Sequence, residues 1–148
     1  MSQIEDLIAR YCPEGVEFKT LGEMGTLYGG LTGKSKADFT PDGNARFLSY
    51  VAVFNNLIAQ VGADRVTMGP GERQEWIRRG DVLFTASSEN SHDVGMSSAV
   101  TDEPSEPVYL NSFCFGFRPH DLRALDPEFS KYLFRSDGVR RQIIRAEL

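Results

Sequence analysis

Gly33-Lys34-Ser35 is the first place in this chain where residue types suggest chemistry, because a lysine and a hydroxyl behind a glycine can cradle a phosphate. A phosphate loop of that kind needs a further glycine five residues before Gly33, and Tyr28 stands there. It also needs a helix afterwards to supply amides and a dipole, but Asp38-Phe39-Thr40-Pro41-Asp42-Gly43 cannot form one. Nucleotide hydrolysis is therefore a poor reading. His92 and His120 are the two histidines, and His92 has Ser87 and Ser88 nearby in sequence. A serine–histidine pair needs a nucleophile elbow and an acid to orient the ring, and neither accompanies it. Neither histidine has a second metal ligand at usable spacing.

The same segments suit binding better than catalysis. Lys34, Lys36 and Arg46 bracket a glycine-rich stretch from Gly29 to Asn44 that has no helical or strand periodicity. A flexible arm with two lysines fits phosphate contacts, which position a protein on DNA without reading bases. Ser87-Ser88-Glu89-Asn90-Ser91-His92 carries groups used at base edges: Asn pairs with adenine, Glu accepts from cytosine, and Ser is adaptable. The bland alternatives are ordinary surface lysines and a polar turn. Asn55-Asn56 and Arg73-Gln74 are weaker candidates of the same kind. The candidate DNA-binding set is Lys34, Lys36, Asn44, Arg46, Arg73, Ser87, Ser88, Asn90 and His92.

Elements must hold these loops in place. Ile4, Leu7, Ile8 and Tyr11 share one helical face, and Cys12-Pro13 stops that helix. Leu21 to Tyr28 reads as a strand with a bulge at its glycines. Arg46 to Phe54 reads as a strand ending at Asn55-Asn56, and Arg65 to Met68 as a short one. A basic turn, Arg78-Arg79-Gly80, feeds the apolar strand Val82 to Thr85. Ser98 to Thr101 and Val108 to Leu110 flank a proline-bearing connection. Phe113, Phe115 and Phe117 alternate with smaller residues, which predicts a core strand with all three rings on one side. Asp126-Pro127 starts a helix through Phe129, Tyr132, Leu133 and Phe134, and a second helix runs from about Val139. The pattern predicts an α+β fold: a curved, mostly antiparallel sheet with helices at the N- and C-terminal ends.

The totals narrow the class. A chain of 148 residues with 41% hydrophobic content and ten Phe can bury a core as a single domain, taken as residues 1–148. No apolar run approaches the roughly 18 residues of a membrane span. The acidic start lacks the basic region of a signal peptide, and Cys12 and Cys114 read as reduced and buried, which together predict a cytoplasmic protein. The net charge of −5 argues against a generic nucleic-acid binder. Charge is uneven, however. Lys131, Arg135, Arg140, Arg141 and Arg145 face only Asp137 and Glu147, so residues 131–148 carry +3 and the remainder −8. The basic terminal helix either contacts a DNA backbone or is a partner surface. Its finish at Glu147-Leu148, without glycine cap or proline stop, reads as a truncation.

Several stretches, in this order, resemble one half of a type I restriction-modification specificity subunit, its target recognition domain. They are Lys19-Thr20-Leu21-Gly22-Glu23-Met24-Gly25, Tyr28-Gly29-Gly30-Leu31-Thr32, Arg46 to Val53, and Gly80-Asp81-Val82-Leu83-Phe84. Leu110 to Arg118 and Phe129 to Ser136 complete the set. The resemblance implies a subunit without chemistry of its own, whose recognition domains each read part of a bipartite site in double-stranded DNA. It implies partners: methyltransferase subunits, which bind S-adenosylmethionine, and restriction subunits, which use ATP and Mg. No cofactor is expected on this chain. The family's long spacer helices and second recognition domain have no counterpart in the sequence. Two other readings stay open: a protein-interaction module built on the basic helix, homodimer included, and an enzyme using His92 and a serine.

Overall fold

A computed structural model describes residues 2–147; Met1 and Leu148, and with them the helix finish at Leu148, lie outside the described residues. The helices are α1 (Gln3–Tyr11), α2 (Leu21–Met24), α3 (Tyr50–Asn55), α4 (Pro127–Leu133) and α5 (Asp137–Glu147). The strands are β1 (Gly25–Gly29), β2 (Ala45–Leu48), β3 (Arg65–Val66), β4 (Val82–Thr85), β5 (Ser97–Ala99), β6 (Val108–Leu110) and β7 (Cys114–Pro119). The fold is α+β with mainly antiparallel pairing, and the strands divide into two sheets. One is antiparallel in the order β1-β7-β4-β5, and the other has the order β3-β2-β6. The β2–β6 pair is parallel, which requires a long crossover, here the chain from residue 49 to 107.

Strand alternation sorts the apolar side chains into layers. On β2 and β6, Leu48, Val108 and Leu110 face one way, into a core shared with Leu83, Ile77 and Val53. Phe47 and Tyr109 face the other way, onto Leu31, Val66 and Met68 beneath the glycine-rich segment. On β4, Leu83 joins the central core, while Val82 and Phe84 meet Phe117, Leu125 and Phe134 under the C-terminal helices. Covered on both faces, β4 is buried at every residue.

Four local expectations change. Leu21–Met24 is a helical turn, because Thr20 and Glu23 form a reciprocal capping box at 3.3 and 2.9 Å. Residues 49–54 leave the strand, because the Ser49 hydroxyl accepts the Ala52 N–H at 3.1 Å and starts α3. Phe113 is outside β7 and 62% exposed, because the Asn111 side chain accepts its N–H at 2.8 Å and turns the chain before Cys114. Cys12 is only partly buried, whereas burial pushes the Cys114 thiol up to about 12. The α1 helix forms behind a Ser2 capping box, but Ile4, Leu7, Ile8 and Tyr11 are all exposed.

The Gly80-Asp81 turn is a structural node. Asp81 is fully buried and accepts from Tyr28 Oη (2.5 Å), the Arg78 N–H (2.9 Å), and Arg118 Nε and Nη2 (2.9 and 2.8 Å). Arg118 also lies 4.6 Å over the Tyr28 ring. Burial, and then the Asp81 charge, push the Tyr28 phenol far up. Gly80 has φ +95, and a Cβ there would overlap Leu122. The node ties the start of β4 to the end of β7, and Tyr28 reaches it from near the far end of β1, so the opposite ends of the strands are held in a defined relation.

Candidate nucleic-acid interface

That other end carries the loops. Gly30 N–H bonds to the Cys114 carbonyl (3.1 Å), Ala86 N–H to Phe113 (2.8 Å), and Asn111 N–H to Leu48 (3.1 Å). The segments leaving β1, β2, β4 and β6 therefore emerge side by side. They are the glycine-rich segment, α3, residues 86–96 and residues 111–113.

The glycine-rich segment is tied down along its length rather than being a free arm. Ser35 N–H bonds to Asp38, and Thr67 N–H to the Asp38 carbonyl, both at 2.8 Å. Thr32 N–H bonds to Gln74 Oε1 at 2.8 Å, and Phe39 packs on Phe47 with ring centroids 4.8 Å apart. Within it the expected phosphate contacts change role. Lys34 Nζ donates to Glu72 (2.6 Å) and the Thr67 carbonyl (2.7 Å), with its side chain 9% exposed. Its charge is neutralised inside the fold. Lys34, Gly69 and Gln74 together hold the Glu72 carboxyl down at about 2. Arg46 ends on Glu106 (2.7 Å) and the Gly62 carbonyl (3.0 Å). Asn44 clamps Met68 at both its N–H and its carbonyl. Lys36 and Arg73 are exposed.

Residues 86–96 are held at several points. Tyr50 Oη donates to the Ser87 carbonyl (2.7 Å), and Gly95 N–H to the Thr85 carbonyl (3.0 Å). Arg140, on α5, donates to the carbonyls of Val94 (2.6 Å) and His92 (2.7 Å). Gly95, at φ +62, sits where a Cβ would strike Ile143 of α5, so a glycine is required for the loop to lie against that helix. Within the loop, Ser88 Oγ accepts the Asn90 N–H and Asn90 Oδ1 accepts the His92 N–H. Asn90 thus uses one acceptor site in a turn, which works against the paired contact with adenine expected of it. His92 and Ser87 are exposed.

A cleft of about 640 Å³ opens between α3 and this loop. Tyr50, Phe54 and Phe113 give it aromatic area, Asn55, Ser87 and Ser88 give hydrogen-bonding groups, and Glu89 and Asp93 add two carboxylates. Such a lining repels phosphates and suits the donor and apolar edges of bases. The structure thus brings Ser87 and Ser88 together with Asn55, and sets Lys34, Asn44 and Arg46 apart in internal bonds.

Sequence reasoning missed the roles of Asp81 and Tyr50, and named Arg135 and Arg140 only as part of the basic terminal segment. Arg140 did leave a signal: it lies three and four residues before Ile143 and Ile144, so it shares their apolar face. Arg135 sits in the turn between helices and donates to the carbonyls of Ser97, Val53, Phe54 and Asn56 at 2.7–3.3 Å. It closes the C-terminal end of α3.

No family model matches the chain, and no curated protein does. Solved structures are similar to it. The HsdS subunit from Thermoanaerobacter tengcongensis matches over 96% of this chain and 41% of its own, at 19% identity and a TM-score of 0.51. The type I restriction-modification S subunit from M. genitalium matches over 86% and 27%, at 12% identity and 0.48. A chain from work on complex assembly and conformational transition of the type I R-M system matches over 96% and 42%, at 19% and 0.48. On the first of these, this chain has the fold of part of an HsdS subunit; it spans less than half the length of each of the three.

Proposed function

We propose that this chain is a target recognition domain of a type I restriction-modification specificity subunit and reads one half-site of a DNA duplex. The fold shared with the HsdS subunit supports the role. The observation that carries the DNA reading is the gathering of α3, residues 86–96 and Phe113 around one cleft at one end of the sheets. A rigid scaffold that delivers several loops to one surface is the usual basis of recognition. Asn55, Ser87 and Ser88 read base edges, and Phe113 and Val51 supply apolar contact to the thymine methyl. The domain itself breaks no bond. Methyltransferase subunits carrying S-adenosylmethionine, and restriction subunits using ATP and Mg, act where it is bound, in the cytoplasm.

A single domain with this charge binds DNA at near non-specific strength, on the order of 10⁻⁴–10⁻⁶ M at physiological salt. Selection of bound duplexes from a randomised pool tests the reading. The expected result is a short enriched motif, with Asn55→Ala relaxing it at one position by about 1–3 kcal/mol. A pool that returns no motif overturns base reading by this domain.

The exposed apolar face of α1 favours a second role alongside the first, that of a partner-binding surface. Pull-down of a methyltransferase subunit that is lost on Leu7→Asp would support it.

A further inference from the structure

The cleft described above is acidic, so a duplex lying on it needs its phosphates held elsewhere. Beside residues 86–96 is a second hollow, of about 430 Å³, lined by Arg135, Arg140, Arg141, His92 and Asp137. We infer that this hollow is a phosphate-binding site and that, if the chain reads DNA as proposed, it takes a backbone phosphodiester next to the bases in the cleft.

Three observations point there. First, three guanidiniums meet one carboxylate in the lining, and among the described residues no carboxylate forms an ion pair with any of the three. Arg135 and Arg140 end on backbone carbonyls instead, which satisfy N–H groups without cancelling the charge. Second, donors are left over. Arg141 Nε bonds to the Asp137 carbonyl at 3.2 Å, while Arg141 Nη1 and Nη2 and Arg135 Nη1 have no hydrogen-bond partner among the described residues. A tetrahedral oxyanion accepts from such forks at two oxygens. Third, the charges in the hollow crowd one another. Burial, and then the neighbouring Arg140 charge, draw the Arg135 pKa down; burial does the same to Arg140, offset in part by the charge of Asp93. An anion between them removes that repulsion.

The position also gives the site a second effect. Arg140 holds the carbonyls of His92 and Val94, so an anion that settles Arg140 settles the loop carrying the cleft's polar groups. Backbone contact and base reading are coupled through one side chain.

Two measurements on the full chain test this. Nitrogen-resolved NMR of the arginine side chains follows titration with inorganic phosphate and, separately, with a short duplex; the Arg135 and Arg141 signals should move in both. Duplex affinity is then measured from about 50 to 200 mM NaCl for the wild type, Arg141→Gln and Lys34→Gln. Loss of one phosphate contact should make the fall in affinity of Arg141→Gln about 3.5-fold smaller, alike for every sequence, while Lys34→Gln keeps the wild-type slope. A duplex that binds with silent arginine signals and an unchanged Arg141→Gln slope overturns the site and leaves DNA reading standing. Inorganic phosphate that moves the signals where no duplex binds keeps the anion site and overturns its DNA source together with the proposed function. Arginine signals silent toward phosphate, together with no binding of any duplex, overturn both.

Discussion

Two groups of cations in this molecule meet opposite fates. Lys34, Arg46 and Arg118 each end on a carboxylate: Glu72, Glu106 and Asp81. Arg135 and Arg140 end on carbonyls of α3 and of residues 86–96. The first group tightens the scaffold and has little charge left for a ligand. The second keeps its field while still bracing the chain, because a carbonyl has a dipole but no net charge. Counting basic residues in a loop therefore says little about phosphate binding until their partners are known.

The contrast can be broken at its strongest point first. Asp81→Ala leaves Arg118 facing a buried hole and removes the acceptor of Tyr28 and of the Arg78 N–H. Denaturant unfolding should show a loss of about 3–5 kcal/mol. Among the carbonyl-bound cations, Arg135→Ala uncaps α3 and frees β5, and should cost about 1.5–3 kcal/mol in the same assay. Hydrogen exchange in α3 should rise with it; protection equal to wild type would mean that α3 does not depend on this guanidinium.

The Lys34–Glu72 pair sharpens the contrast without unfolding the protein. With the Glu72 carboxyl held at about 2 against an ordinary 4.5, its stabilisation is complete above about pH 4.5 and is lost as pH falls toward 2. Carboxyl NMR should place the Glu72 midpoint near 2 and return it toward the ordinary range in Lys34→Met. A midpoint near 4.5 in the wild type would show Lys34 to be free after all.

Much of the scaffold was legible along the chain. Val82–Thr85, Val108–Leu110, the Asp126-Pro127 helix start and the terminal amphipathic helix announce themselves through apolar runs, period and caps. The Thr20–Glu23 box and the Ser49 cap were also written there, but a β-rich reading of their neighbours concealed them. The site was less legible. Ser87 and Ser88 lie at the cleft, yet Lys34, Asn44 and Arg46 are taken up by bonds within the chain, and Asn55 joined the cleft only because α3 replaced a strand.

Local pattern alone determined that this chain forms an α+β scaffold with polar loops between apolar strands, since caps, alternation and helical period act over a few residues. Which charges survive for a ligand was decided only by tertiary structure. Glu72 lies 38 residues from Lys34, and His92 lies 48 from Arg140. Neutralisation is a matter of distance in space, which no stretch of sequence contains.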